Sequence, residues 1–186
     1  MTVAPMLATL GSAADIDEDT DSWAFEMKWD GIRAVATVHN SIASFVTRNG
    51  IDVSASYPEL AELGRRTGGR DVVVDGEIVA LNKRGRPDFG RLQRRMNLTR
   101  KPDVYSAMRN VPVQYLIFDI LEANGKSVAA NSYDQRRAEL GRTVRAEGHI
   151  QVPPAFHGNL VDAFASSREL GLEGVMAKRR DSSYAG

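Results

Sequence analysis

Lys28 stands in the stretch Ala24-Phe25-Glu26-Met27-Lys28-Trp29-Asp30-Gly31-Ile32-Arg33-Ala34. A carboxylate lies two residues before it and an arginine five after it. A lysine so flanked is either a solvated strand-end residue or a nucleophile. Attack on phosphorus needs the neutral amine, and a free lysine with a pKa of about 10.4 offers under roughly one part in a thousand of it at neutral pH. Burial beside other cations lowers that pKa by several units. A shift of about three units corresponds to ~4 kcal/mol. Arg33 and Lys178 are the candidate cations, and a metal ion would act in the same sense.

A set of acids accompanies this lysine. Asp75-Gly76-Glu77 interrupts an apolar run, Asp119 lies inside Tyr115-Leu116-Ile117-Phe118-Asp119-Ile120-Leu121, and Glu173-Gly174 precedes Val175-Met176-Ala177-Lys178. Arg48-Asn49-Gly50 is a polar turn ending in glycine. Each has an ordinary reading as a turn or bulge. A buried carboxylate is costly unless it is paired or metal-bound, so several in one small domain, with arginines, suggest a shared polar site for a metal and phosphates. Gly31 would permit backbone dihedrals closed to other residues and the close approach of a ligand.

The elements that must position these groups follow from periodicity. Residues 23–29, 32–39 and 42–47 read as strands, with turns at Trp29-Asp30-Gly31-Ile32 and His39-Asn40-Ser41-Ile42. Ser56 and Glu59 suggest a capping box, with Pro58 in the first turn of a helix ending near Gly64 to Gly68. A strand is expected over 71–81, a loop over 83–87, a short basic helix from Asp88 to Asn97 and a central strand over 111–121. Ser132 with Gln135 caps a helix to about Glu147, residues 150–156 form an extended edge piece because of two prolines, Asn159 caps a helix to Leu170, and 172–179 is a last strand. This order is not a βαβ alternation, so the fold class is α+β with mostly antiparallel sheets.

The chain has 186 residues, 42% of them hydrophobic, which suits one domain with an ordinary core. No apolar run is long enough to cross a bilayer, and Met1 to Pro5 lacks the features of a secretory signal. There is no cysteine, which excludes disulfides and cysteine-ligated zinc and is compatible with the cytoplasm. The formal net charge of zero hides asymmetry: Asp15, Asp17, Glu18, Asp19 and Asp21 crowd one early loop, and Lys83, Arg84, Arg86, Arg91, Arg94, Arg95, Arg100 and Lys101 crowd another region, opposed there by Asp88. That basic region is either a solvated surface or a phosphate-neutralising one.

The ordered set "EMKWDGIR", "TRNG", "VVDGEIVAL", "YLIFDIL" and "EGVMAK" resembles the motif series of the covalent nucleotidyltransferases, the superfamily of ATP-dependent DNA ligases, RNA ligases and mRNA capping enzymes. Within it the chain is most similar to the ligase domain of bacterial end-joining DNA ligases, to which "PMLATLG" and "EGVMAKRRDSSY" add. The resemblance implies the nucleotidyltransferase (ATP-grasp-like) fold, two mostly antiparallel sheets flanked by helices. It implies that Lys28 takes AMP from ATP as a covalent adduct, that Glu26 contacts the adenine amino group, and that Arg33 and Arg48 contact the ribose and phosphate. Glu77 would sit near the ribose hydroxyls or the metal, Phe118 would stack on adenine (or be one more core phenylalanine), and Lys178 would lie near the α-phosphate. Glu173, with Glu77, would hold Mg²⁺ or Mn²⁺, while Asp30 would orient Arg33 or its loop. Nicked or broken double-stranded DNA and end-joining proteins are the implied partners, for a monomer in a cytoplasmic, nucleoid-associated setting.

In this family a further lysine-bearing motif and an OB-fold domain follow, beyond Gly186. The domain expectation is therefore an adenylation domain over 1–186, truncated before the last nucleotide-binding motif and without the OB-fold, with activity impaired on its own. Two other readings remain at this point. A capping-type guanylyltransferase would prefer GTP. A non-catalytic nucleic-acid-binding module would use residues 83–101 and leave Lys28 unmodified.

Overall fold

The computed structural model describes residues 5–16 and 20–185. The architecture is α+β with two sheets, as expected. The larger sheet holds β2 (Ile32–His39), β3 (Ile42–Thr47), β4 (Val72–Ala80), β5 (Val113–Ala123) and β6 (Lys126–Ser127) in the order β3-β2-β4-β5-β6, and β7 (Ile150–Gln151) joins β5 in parallel. The smaller sheet is antiparallel, with β1 (Trp23–Met27) between β8 (Phe156–His157) and β9 (Val175–Arg179). Five α-helices are described: α1 (Leu63–Arg66), α2 (Phe89–Gln93), α3 (Lys101–Asn110), α4 (Tyr133–Thr143) and α5 (Leu160–Leu170).

Alternation along β2, β4 and β5 sends Ala34, Ala36, Val38, Val72, Val74, Ile78, Val113, Tyr115 and Ile117 into the main core, where Leu60, Leu63, Leu92 and Leu140 close over them. A second cluster packs Phe25 and Met27 of β1 against Ala163 of α5, with Trp23, Trp29, Phe156 and Leu172 around it. The β4–β5 ladder slips twice, between Val73 and Val74 and between Asp75 and Gly76, so that Leu121 and Phe118 have no residue opposite them. These are β-bulges, and each inverts the alternation. Ile117 and Ile120 therefore both reach the core, while Phe118 and Asp119 turn toward the opposite face, beside Asp75.

Gly76 is fixed by contact. A Cβ there would fall 2.6 Å from the Leu116 carbonyl oxygen and 2.7 Å from the Tyr115 ring, and that tyrosine's hydroxyl donates to the Ala34 carbonyl at 2.8 Å. Gly31 has the same kind of reason, since a side chain would overlap the Ile78 carbonyl of β4. Its φ is not positive, so close strand approach, rather than special dihedrals, requires glycine there.

Several expectations are corrected. Trp29-Asp30-Gly31-Ile32 is not a hairpin turn, because β1 and β2 belong to different sheets and the first strand ends at Met27, before Lys28. His39-Asn40-Ser41-Ile42 is a hairpin turn, with left-handed φ at Asn40 and Ser41. The capping box at Ser56 does not form: the Ser56 hydroxyl donates to the Leu98 carbonyl, and the Glu59 carboxylate is taken by buried Arg95 at 2.6 and 3.0 Å. A bidentate charged pair outweighs a neutral cap. The segment forms a 3₁₀ helix at Pro58–Glu62 followed by α1. The basic helix is shorter than expected, and α3 lies outside the expected elements, although Pro102 and Asp103 in its first turn are start signals. The Ser132–Gln135 capping box is present, but α4 stops at Thr143. Asn159 caps α5 as expected. The extended 150–156 piece divides into β7 and β8, and the last strand begins at Val175. Of the early acidic loop, Asp17, Glu18 and Asp19 lie outside the described residues, as do Met1 to Ala4.

Replacing Gly76 by alanine is expected to destabilise the domain by about 1–3 kcal/mol through overpacking against Tyr115 and the Leu116 backbone, measured as a lower urea midpoint at unchanged slope.

Candidate active site

β1 carries Glu26 into the interior, where its side chain is 7% exposed. One buried carboxylate there serves three partners: the Tyr133 hydroxyl donates to Oε1 at 2.6 Å, Lys178 Nζ lies 2.7 Å from Oε2, and Arg137 Nε lies 3.8 Å from Oε1. Lys178 comes from β9, paired with Ala24 in register. Its ammonium sits off the direction of a hydrogen bond to Glu26, so the contact is ionic. The same ammonium lies 4.8 Å from the centre of the Phe118 ring and 5.3 Å from that of Tyr133, within cation–π range. Burial, then the neighbouring Glu26 charge, pushes the Tyr133 phenol well up, so it stays a hydrogen-bond donor.

Phe118 joins this cluster to a second one. The bulge leaves its ring half-buried, with the Arg33 guanidinium 5.5 Å from its centre. Arg33 of β2 grips Asp75 of β4 with two hydrogen bonds, 2.7 and 3.2 Å, and reaches the Tyr184 hydroxyl at 3.4 Å. That hydroxyl donates to Asp75 at 2.6 Å and accepts from the Met6 amide at 2.9 Å. Asp119 is held in the same way by Arg136 of α4, at 2.7 and 3.1 Å. The buried strand acids Asp75 and Asp119 are thus neutralised by arginines, which corrects the expectation that such acids signal a metal.

Glu77 is the cross-strand partner of Arg33. Burial pushes its carboxyl up to about 8; Arg33 opposes that rise, Asp75 and Asp30 add to it, and a hydrogen bond from the Gly31 backbone works against it. At neutral pH Glu77 is therefore mostly protonated and can donate a hydrogen bond.

Lys28 follows β1 directly. Its amide donates to the Gly174 carbonyl at 3.1 Å, and its ammonium pairs with Glu173 at 2.6 Å. This joins the two sequence-distant motifs through the turn before β9. The pair is open, with side chains 51% and 66% exposed. Lys28 is therefore not buried among cations, because Arg33 and Lys178 are engaged with Asp75 and Glu26. Nor is Glu173 a buried strand acid. Its carboxyl is held below the usual range by the Lys28 ammonium. Arg48 is exposed just after β3, its amide donating to the Arg33 carbonyl at 3.3 Å, and Asp30 is exposed.

A divalent ion has limited provision here. No group of three or more metal-type side chains occurs among the described residues. The accessible Glu173 carboxylate nevertheless fits Mg²⁺, which takes one or two carboxylates plus substrate phosphates and water. Sequence reasoning missed Tyr133, Arg137, Arg136 and Tyr184. Tyr133 and Arg137 stand four apart in a helix whose capping box was readable, so they share a face; that this face meets Glu26 was not readable.

Because the unfolded carboxyl titrates near 4.5, the folded state binds more protons between that value and about 8, and stability falls as pH rises through this window. Glu77→Gln should remove that slope and stabilise the domain at pH 9 by up to a few kcal/mol, measured by urea denaturation at pH 5, 7 and 9. Parallel curves for the two proteins would contradict a protonated Glu77.

The sequence matches the family described as the ATP dependent DNA ligase domain over residues 5–186. It is 38% identical over 182 residues to the multifunctional non-homologous end joining DNA repair protein LigD of Mycobacterium tuberculosis, covering 98% of this chain and 22% of that protein. The corresponding LigD of Pseudomonas aeruginosa is 32% identical over 186 residues, covering 98% and 20%. The chain thus spans about a fifth of the length of these relatives. Among solved structures, a mycobacterial DNA ligase D complexed with ATP and MES superposes with a TM-score of 0.79 at 36% identity, covering 98% of this chain and 56% of that one. A Chlorella virus DNA ligase-adenylate, 18% identical with a TM-score of 0.65, shares the fold. By sequence over nearly its whole length, and by fold, this chain belongs to the ATP-dependent DNA ligase domain family.

Proposed function

We propose that this domain carries out the adenylation step of an ATP-dependent DNA ligase, with Lys28 as the nucleophile. The observation that carries the reading is the Lys28–Glu173 pair at 2.6 Å, which sets the candidate nucleophile beside an accessible carboxylate. Lys28 follows the strand that buries Glu26, and β9, just after Glu173, carries Lys178. In the reaction Nζ, after losing a proton, attacks the α-phosphorus of ATP in line. A P–N bond forms, the bond to the bridging oxygen breaks, and pyrophosphate leaves with that electron pair. The DNA 5′-phosphate then displaces the lysine and takes AMP.

Each residue has a part in this. Glu26, held by Tyr133 and Arg137, accepts from the adenine amino group; an anionic acceptor suits adenine better than the guanine carbonyl, which favours ATP over GTP. Phe118 supplies the stacking surface. Lys178 exchanges its Glu26 contact for the α-phosphate as the nucleotide enters. Protonated Glu77 and Arg33 bind the ribose, and Arg48, exposed at the rim, meets phosphate. Glu173 would hold Mg²⁺ or Mn²⁺, which would neutralise charge on the triphosphate. The partner of Lys28, Glu173, is open to solvent and exchangeable, and positioning with electrostatic stabilisation supplies the rate. The names of the relatives support a role in joining DNA breaks, with nicked or broken duplex as the second substrate.

The protein carrying this domain, incubated with α-labelled ATP and a divalent ion, should acquire one AMP on a peptide containing Lys28, and Lys28→Ala should abolish labelling. Label retained by the alanine variant would overturn the assignment of the nucleophile. Labelling by GTP in preference to ATP would overturn the choice of base.

A further inference from the structure

The basic stretch between β4 and α3 takes no part in the nucleotide site. Leu81 and Pro87 pair across the base of a tight turn, and Asn82 knits the turn together. Asn82 Oδ1 accepts from the Arg84 amide at 2.8 Å and the Arg86 amide at 3.2 Å, while its own amide donates to the Arg86 carbonyl at 2.8 Å. Gly85, with φ +74°, closes it. The turn therefore presents Lys83, Arg84 and Arg86 on an ordered backbone. All three are exposed, as is Arg94, and their side chains form no ion pair among the described residues.

The turn faces α2 across an open cleft of about 450 Å³, lined by Asn82, Lys83, Arg84, Asp88, Arg91 and Arg94. Asp88 is the one acid in that lining, and one of its oxygens already accepts from the Arg91 amide at 2.9 Å. No aromatic ring lines the cleft, so it offers cations without a surface for stacking a base. That is the chemistry of sequence-independent contact with a phosphate backbone.

Its position relative to Lys28 follows from strand register. Ile32 pairs with Ile78, and Gly31 abuts the Ile78 carbonyl and the Val79 side chain. The 28–31 loop thus lies at the end of β4 from which the basic turn projects. Lys28 stands three residues before Gly31, at most about 10 Å away, and Arg84 six after Ile78, at most about 20 Å, at ~3.3 Å per residue. Phosphates along one DNA strand rise about 3.4 Å each, so these stretches, joined at the Gly31–Ile78 contact, span at most roughly ten of them.

We propose that the Lys83–Arg86 turn, with Arg94, is a backbone-phosphate grip that holds duplex DNA within about ten phosphates of the junction presented to Lys28. The inference rests on the ligase reading above and adds where the duplex lies. The test uses the complete protein that carries this domain. A triple variant, K83A/R84A/R86A, is compared with R65A/R70A/K126A, which removes the same charge from the opposite end of the sheet. Arg65 lies on α1 next to Gly64, which abuts the β2–β3 turn at Ser41; Arg70 precedes β4; and Lys126 follows β5.

Binding of a nicked duplex without ATP is measured across salt concentrations, and self-adenylation without DNA is measured in parallel. The first variant should keep self-adenylation within about twofold, lose at least about tenfold in nick affinity at 0.1 M salt, and lower the slope of log K against log salt by about 2.7, that is 0.9 for each of three phosphates. The second variant should keep affinity and slope near those of the parent. An unchanged slope in the first variant, or equal loss in both, would overturn the proposal. Failure of the parent to self-adenylate would overturn the ligase reading instead, since the salt slope is read without ATP.

Discussion

The bidentate contact between Arg33 and Asp75 is the constraint on which the site depends. Asp75 is fully buried in β4 and faces Asp119, buried in β5, across the ladder. Two adjacent carboxylates in so dry a place would be untenable bare, since an unpaired buried ion costs several kcal/mol. Each receives its own guanidinium, from β2 and from α4. The same layer ties down the end of the described chain, because Tyr184 donates to Asp75 and the Ser182 carbonyl accepts from Arg136 at 2.9 Å. Glu77, two residues along the strand, shares Arg33 with Asp75 and stays protonated instead. Arg33 thus faces two acids: it takes both oxygens of Asp75, while burial outweighs its pull on Glu77.

Order is distributed unevenly across the site. The end that would meet the base is packed: Glu26 is buried against Tyr133, Arg137 and Lys178. Lys28 and Glu173 are open to water, where an ion pair contributes little and exchanges readily. Under the proposed adenylation, a nucleophile that must admit a triphosphate and release its proton would gain from such a loose partner. The burial expected from lysine chemistry alone is therefore absent.

The bulge at Phe118 connects these two regions. Without it, strict alternation from Ile117 would turn Asp119 toward the apolar core and leave Ile120 outside. One extra residue keeps both isoleucines inside and sends an aromatic ring and an acid to the polar face. Gly76 opposite completes the arrangement by leaving room for the Tyr115 ring. The interruption of apolar strands by acids and glycine, which in the sequence resembled metal ligation, is the trace of this bulged, arginine-neutralised layer.

By itself the sequence determined the strands, the helices with strong caps at Ser132 and Asn159, the α+β class and the ordered motifs that identify the family. These are local signals, carried by alternation, side-chain-to-backbone caps and fixed spacing. Tertiary structure alone decided which charges meet. Arg33 chose Asp75, Arg136 chose Asp119, and Arg95 took Glu59 from the cap it was expected to form, each across 17 to 42 residues of chain. Lys28 met Glu173 across 145. Such pairings depend on register, on two bulges and on how the small sheet is threaded, and no local pattern encodes them, because a charged side chain carries the same signal in sequence whether its partner is water, a metal or a buried arginine.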